Sequence, residues 1–163
     1  MRKSLIKFIK NLGRYLGVVA LDHALKVWAQ SKTTAGSVKV SPFLDWVAVW
    51  NQGISFGWMP LSSPWARGVF IILVLGIIIM LSLRLRPTSR WEAAAFFLIF
   101  SGGLANLMDR ILWGAVFDFI SIHYRHEIFF PAFNFADILI TIGGVMIVLR
   151  MGKEWRNSLS SSA

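Results

Sequence analysis

Long apolar runs, separated by short charged or turn-rich segments, dominate this 163-residue chain. Four runs read as membrane-crossing helices, at roughly 12–30, 65–83, 91–108 and 133–149. The uncharged stretch Gly68–Leu83 would extend only about 24 Å as a helix, so flanking residues such as Trp65 must complete a hydrocarbon layer of about 30 Å. A buried helix of a soluble protein has a similar look, but four such runs in one short chain argue for a bilayer. Between the first two runs the pattern changes. Val38-Lys-Val-Ser and Phe43–Trp50 alternate or run apolar with β-branched residues, as short strands do. Gly53, Gly57, Pro60 and Pro64 then break the chain. Segment 31–64 is therefore expected to be a small β-rich flap, with Trp46, Trp50 and Trp58 either dipping into the membrane interface or packing on the helices. Segment 111–132 is predicted as an outer loop, and the serine-rich tail Asn157–Ala163 as disordered. The expected fold is an all-α membrane protein: four transmembrane helices, an extracytoplasmic β-rich flap between the first and second, and one domain over 1–163.

Composition supports this class: 56% of residues are hydrophobic and 15% charged, with eight Trp and thirteen Phe as candidate interfacial anchors. The net charge of +9 changes the picture through its placement. Arg2, Lys3, Lys7, Lys10 and Arg14 precede the first run, Arg84, Arg86 and Arg90 link the second and third, and Arg150, Lys153 and Arg156 follow the fourth. The positive-inside rule puts both termini in the cytoplasm and segments 31–64 and 111–132 outside. No basic face on a soluble fold is left for nucleic acid. The absence of cysteine excludes disulfides, thiol catalysis and cysteine metal sites. The basic N-terminus resembles a signal peptide, but Asp22, His23 and Lys26 in the apolar stretch after it predict a retained span.

Candidate chemistry centres on Asp118 in Gly114-Ala-Val-Phe-Asp-Phe-Ile120 and Asp137 in Phe133-Asn-Phe-Ala-Asp137. Carboxylates beside hydrocarbon are costly and usually functional. Span three ends outward and span four begins outward, so both acids fall on one side. Acids that meet there can share a proton, one acting as base and the other as acid. Asp137 falls in the first turn of its helix, where the dipole favours a carboxylate. Asp22 and Lys26 lie one turn apart, either as an ion pair that merely tolerates burial or as part of the site. Gly102, Gly103, Asn106, Asp109 and Arg110 make one face small, then polar; Asp109 and Arg110 also suit a helix end. Asn134, Asp137, Thr141 and Gly144 form a second small-polar stripe. The cluster His123-Tyr-Arg-His126-Glu127 lacks the spacing of helical zinc proteases and reads as a solvated loop; Asp45 reads as a loop or strand-edge charge. No metal or other cofactor is expected.

Taken together, Leu21–Lys26, Asn51–Phe56, Gly102–Arg110, Gly114–Ile120 and Phe133–Asp137 resemble the signal peptidase II family, the prolipoprotein signal peptidases of bacteria. The resemblance runs from Asp22 to the end of the fourth span. It implies an intramembrane-type aspartic endopeptidase of the cytoplasmic (inner) membrane, working near the outer face. Such an enzyme removes signal peptides of prolipoproteins by cutting before the diacylglyceryl-cysteine. Carried over by motif, Asp118 and Asp137 are the catalytic pair, while Asp22, Lys26, Asn51, Gly53, Asn106, Asp109, Arg110 and Asn134 shape or support the site. The family also implies membrane lipid around a monomer, and globomycin-like inhibitors. Ala105, Ile138, Ile54 and Gly57 depart from the family's usual residues and affect the surroundings of the acids. Two other classes remain open from the residues alone, a small transporter or ion-conducting subunit and a non-catalytic membrane assembly factor.

Overall fold

The computed structural model of the chain describes residues 2–53, 63–84, 87, 89–124 and 127–161. Gly57, Trp58, Pro60, Arg86, Arg125, His126 and the departure at Ile54 lie outside them. Helices α1 (Arg2–Thr33), α2 (Pro64–Arg84), α3 (Arg90–Trp113) and α4 (Phe135–Ser161) combine with strands β1 (Val38–Ser41), β2 (Leu44–Asn51), β3 (Val116–Tyr124) and β4 (Glu127–Phe133).

The strands correct the all-α expectation. They form one antiparallel sheet in the order β1-β2-β3-β4, so the flap and the supposed outer loop 111–132 are halves of a single element. The pairing places Val49 opposite Asp118 and Asn51 opposite Val116. β3 is buried on both faces from Val116 to Phe119, which removes the in-out alternation that marks a strand in sequence. Pro131 in β4 weakens the signal further, and the structure accommodates it on an edge strand beside a register shift. The sheet packs on α1 through Ala29, Phe117 and Phe119, with Leu25, Trp46 and Ile120 around them. Trp46 takes the packing role: its ring stacks on Phe119 at 5.6 Å and meets Trp28 edge-on at 4.6 Å. Trp50 stays half exposed beside Phe117 and Trp113.

Helix ends also differ from the expected bounds. α1 starts at Arg2, so the basic leader is helical. α3 does not stop near Met108. It is capped by Ser89, whose Oγ accepts from the Glu92 N–H at 3.2 Å, and it ends at Gly114 with φ 73°. Asp109 therefore sits inside the helix, while Arg110 lies in its last turn, where its carbonyl accepts the Gly114 N–H at 3.1 Å. α4 runs on to Ser161, so most of the tail expected to be disordered is helical, continuing from a turn stapled by an Arg150–Glu154 pair at 2.8 Å.

α3 and α4 make the closest helix contact. A Cβ on Gly102 would collide with the Ala136 carbonyl oxygen and Ile140, and one on Gly143 with the Ala95 carbonyl oxygen and Ile99. Gly144, the glycine of the expected stripe, faces open space. Among the described residues, two helical stretches are long and apolar enough to cross a membrane, Arg90–Trp113 and Phe135–Asn157. Apolar side chains such as Ile142, Val145, Val148, Ile72 and Leu73 are exposed on the helix exteriors, as lipid-facing residues are.

Candidate active site

The N-terminus of α4 is the first fixed point. Asn134 precedes the helix and Asp137 lies in its first turn. The Asn134 Oδ1 accepts from the Asp137 N–H, and the Asp137 Oδ2 accepts from the Asn134 N–H, both at 3.1 Å. This reciprocal arrangement is a capping box with Asp in place of Glu. It satisfies helix-end donors and fixes the Asp137 carboxylate at the positive end of the helix dipole.

β3 delivers the second acid. Asp118 is 2% exposed. Its Oδ1 accepts from Asn134 Nδ2 at 2.7 Å and its Oδ2 from Asn51 Nδ2 at 3.0 Å. Asn134 thus holds both acids, one through its side-chain amide and one through its backbone. Asn106 of α3 completes the link. Its Nδ2 donates to Asp137 Oδ1 at 2.8 Å, while its Oδ1 accepts from Asn134 Nδ2 at 3.1 Å. Burial pushes the Asp118 carboxyl up to about 6, and the nearby Asp137 charge adds to the rise; the Asn51 and Asn134 hydrogen bonds and the Lys26 charge oppose it.

Arg110 of α3 borders the same cavity. It donates to the Asn106 carbonyl at 3.2 Å and to the Gly53 carbonyl at 3.1 Å, and lies 5.4 Å above the Phe70 ring. Gly53 in turn donates its N–H to Asn51 Oδ1 at 3.0 Å, which orients the amide that serves Asp118. Below, Lys26 lies between Asp22 and Asp109 at 2.6 and 2.7 Å, and also reaches Asn106 Oδ1. All of the residues named from sequence (Asp22, Lys26, Asn51, Gly53, Asn106, Asp109, Arg110, Asp118, Asn134 and Asp137) therefore fall in one hydrogen-bonded network. Asp118 and Asp137 open onto a shared cavity of about 340 Å³, walled by Phe70 and Val74 of α2 and by Ile140 and Thr141 of α4. The apolar wall from α2 was not anticipated, because nothing in a uniformly apolar helix marks which side faces a site.

Two expectations change. His123 is not on a solvated loop: it is buried in β3, with Nε2 3.1 Å from Asp45 Oδ1 but out of line for a hydrogen bond. Asp45 is correspondingly a β2 residue facing that ring. Among the described residues no group of three or more His, Asp or Glu side chains is placed to hold a metal.

Two carboxylates on one cavity, each held by amide donors, are equipped to activate a water molecule against a carbonyl. Comparisons with known proteins bear on the family. Residues 15–153 match the family model described as signal peptidase (SPase) II. The chain is 36% identical over 142 residues to a lipoprotein signal peptidase of Pseudomonas fluorescens (strain Pf0-1), covering 84% of each. It is 36% identical over 139 residues to the lipoprotein signal peptidase of Pseudomonas aeruginosa (strain UCBPP-PA14), covering 82% of each. A solved bacterial membrane enzyme superposes with a TM-score of 0.72 at 28% identity, covering 91% of this chain and 90% of that one. A second superposes with a TM-score of 0.67 at 28% identity, covering 87% and 92%. These matches give no support to a transporter or ion-conducting subunit.

Proposed function

The chain belongs to the signal peptidase II family, a protease family that removes signal peptides from prolipoproteins, and we propose that Asp118 and Asp137 are its catalytic pair. The observation that carries this reading is that Asp118 and Asp137 open onto one cavity while Asn134, buried outside its lining, bonds both carboxylates. One acid, ionised, takes a proton from water as it attacks the scissile carbonyl. The other, protonated, polarises that carbonyl, and a proton then passes to the leaving amine. The two acids share one cavity and one asparagine, so base and acid are assigned to the dyad and not to fixed residues. Asn and Arg donors around the cavity stabilise the developing oxyanion, each worth about 3 kcal/mol where aligned.

The substrate follows from the walls. A signal peptide enters as an apolar helix between α2 and α4, and its diacylglyceryl-cysteine holds the cut at the outer membrane face. In this reading all four helices cross the inner membrane, both termini are cytoplasmic, and the sheet lies on the outer surface. The single domain acts as a monomer without metal, and globomycin-like inhibitors compete for the same cavity. A purified preparation given a diacylated prolipoprotein peptide with a chelator should cut before the modified cysteine. Its pH profile should be bell-shaped with one limb above the ordinary carboxylate range, because burial raises the Asp118 carboxyl to about 6. Loss of cleavage in chelator, or a flat profile from acid to alkaline pH, would contradict the dyad.

A further inference from the structure

Lys26 does not line the cavity that holds the two acids. It faces a separate cavity of about 230 Å³, together with Asp109, Trp50, Trp113 and Phe117. Yet its Nζ lies 2.6 Å from Asp22 Oδ2 and 2.7 Å from Asp109 Oδ2, and all three side chains are almost fully buried. Each carboxylate has a second task. Asp22 Oδ1 accepts the backbone N–H of Ala136 at 3.0 Å, the residue just before Asp137. Asp109 Oδ2 accepts the backbone N–H of Phe117 at 3.4 Å, the residue just before Asp118. Lys26 Nζ is also 3.3 Å from Asn106 Oδ1, which turns Asn106 Nδ2 toward Asp137.

We propose that Lys26 is a positioning residue: the Asp22–Lys26–Asp109 triad ties together the two backbone segments that present Asp137 and Asp118, and so sets their separation from behind. The inference rests on the dyad reading above. α1 brings Asp22 and Lys26, α3 brings Asp109 and Arg110, and β3 and α4 bring the acids themselves; α2 contributes Phe70 and Val74 to the cavity wall and no charge among its described side chains. Buried charges that only satisfied one another would set the folded fraction and nothing more. A triad that gauges the dyad must also set its geometry and its titration.

The test uses full-length enzyme in detergent or vesicles with a diacylated peptide, with activity normalised to the folded fraction measured by thermal unfolding. Lys26→Met should lower kcat about a hundredfold with KM little changed, as a misplacement of reacting groups does. It should also move the pH profile upward by about one unit, because a positive charge near the dyad is gone. Asp109→Asn removes a negative charge and should move the profile downward while also lowering kcat. Lys26→Arg, which keeps the charge, should recover the pH profile. If Lys26→Met does not fold, the downward shift in Asp109→Asn carries the test alone. Wild-type kcat and pH profile per folded molecule in these variants would overturn the brace. Asp118→Asn, run alongside, separates the two claims: an active Asp118→Asn sinks the dyad itself, whereas an inactive one beside unshifted Lys26 and Asp109 variants sinks only the brace.

Discussion

Asp118 is nearly sealed from solvent, with each carboxylate oxygen accepting an amide proton, from Asn134 at 2.7 Å and from Asn51 at 3.0 Å. Its carboxyl is raised from 3.8 to about 6, first by burial. A carboxyl raised in the folded state binds its proton more readily folded than unfolded. Its contribution to stability is therefore fully present below about pH 4 and is lost as pH rises through 6. Lowering pH from 7 to 5 should add about 1 kcal/mol to wild-type stability through this group, and Asp118→Asn should lack that increment. Thermal unfolding of both proteins at the two pH values measures it; equal pH responses would contradict the burial argument. The pair of acids was legible in sequence because topology alone forces residues after span three and at the start of span four to one side. The role of Asn134 as the joint between them was not legible. It depends on a capping box that uses the backbone of one acid's helix and the side chain of the other's strand.

Helices announce themselves in this chain and strands hide. The first hairpin, β1 and β2, shows turn residues and alternation. β3 and β4 do not, because β3 is buried on both faces and β4 carries Pro131. The small-residue stripes were visible, but their partners were not: Gly102 and Gly143 carry the α3–α4 contact, and Gly144 carries none. Gly102→Ala would push on the Ala136 carbonyl, the residue adjoining Asp137, where overpacking typically costs about 1–3 kcal/mol. That substitution should lower both the melting temperature and turnover, while Gly144→Ala should leave both near wild type. The same melting and cleavage assays compare the two. Equal effects at both positions would mean that the close approach does not hold the site.

The molecule as a whole is a helical scaffold with a sheet across one end, and the polar network sits where the two meet. Placing that end outside the cell makes the reading testable without a substrate. The chain has no cysteine, so single cysteines can be introduced as accessibility probes. Ser37→Cys, exposed at the sheet end, should react with an impermeant maleimide in intact cells; Asn157→Cys, exposed near the other end, should react only after permeabilisation. The reverse pattern would overturn the orientation drawn from Lys and Arg. The expected orientation rests on charge placement alone, whereas the docking of the sheet on α1 arises from long-range pairing that no local pattern encodes. The most direct test of the account remains single-turnover cleavage of a diacylated prolipoprotein peptide by Asp118→Asn and Asp137→Asn, each confirmed as folded. Each is expected to lose activity by about a thousandfold or more, since each removes one half of the proton exchange. Near-normal turnover by either variant would contradict it.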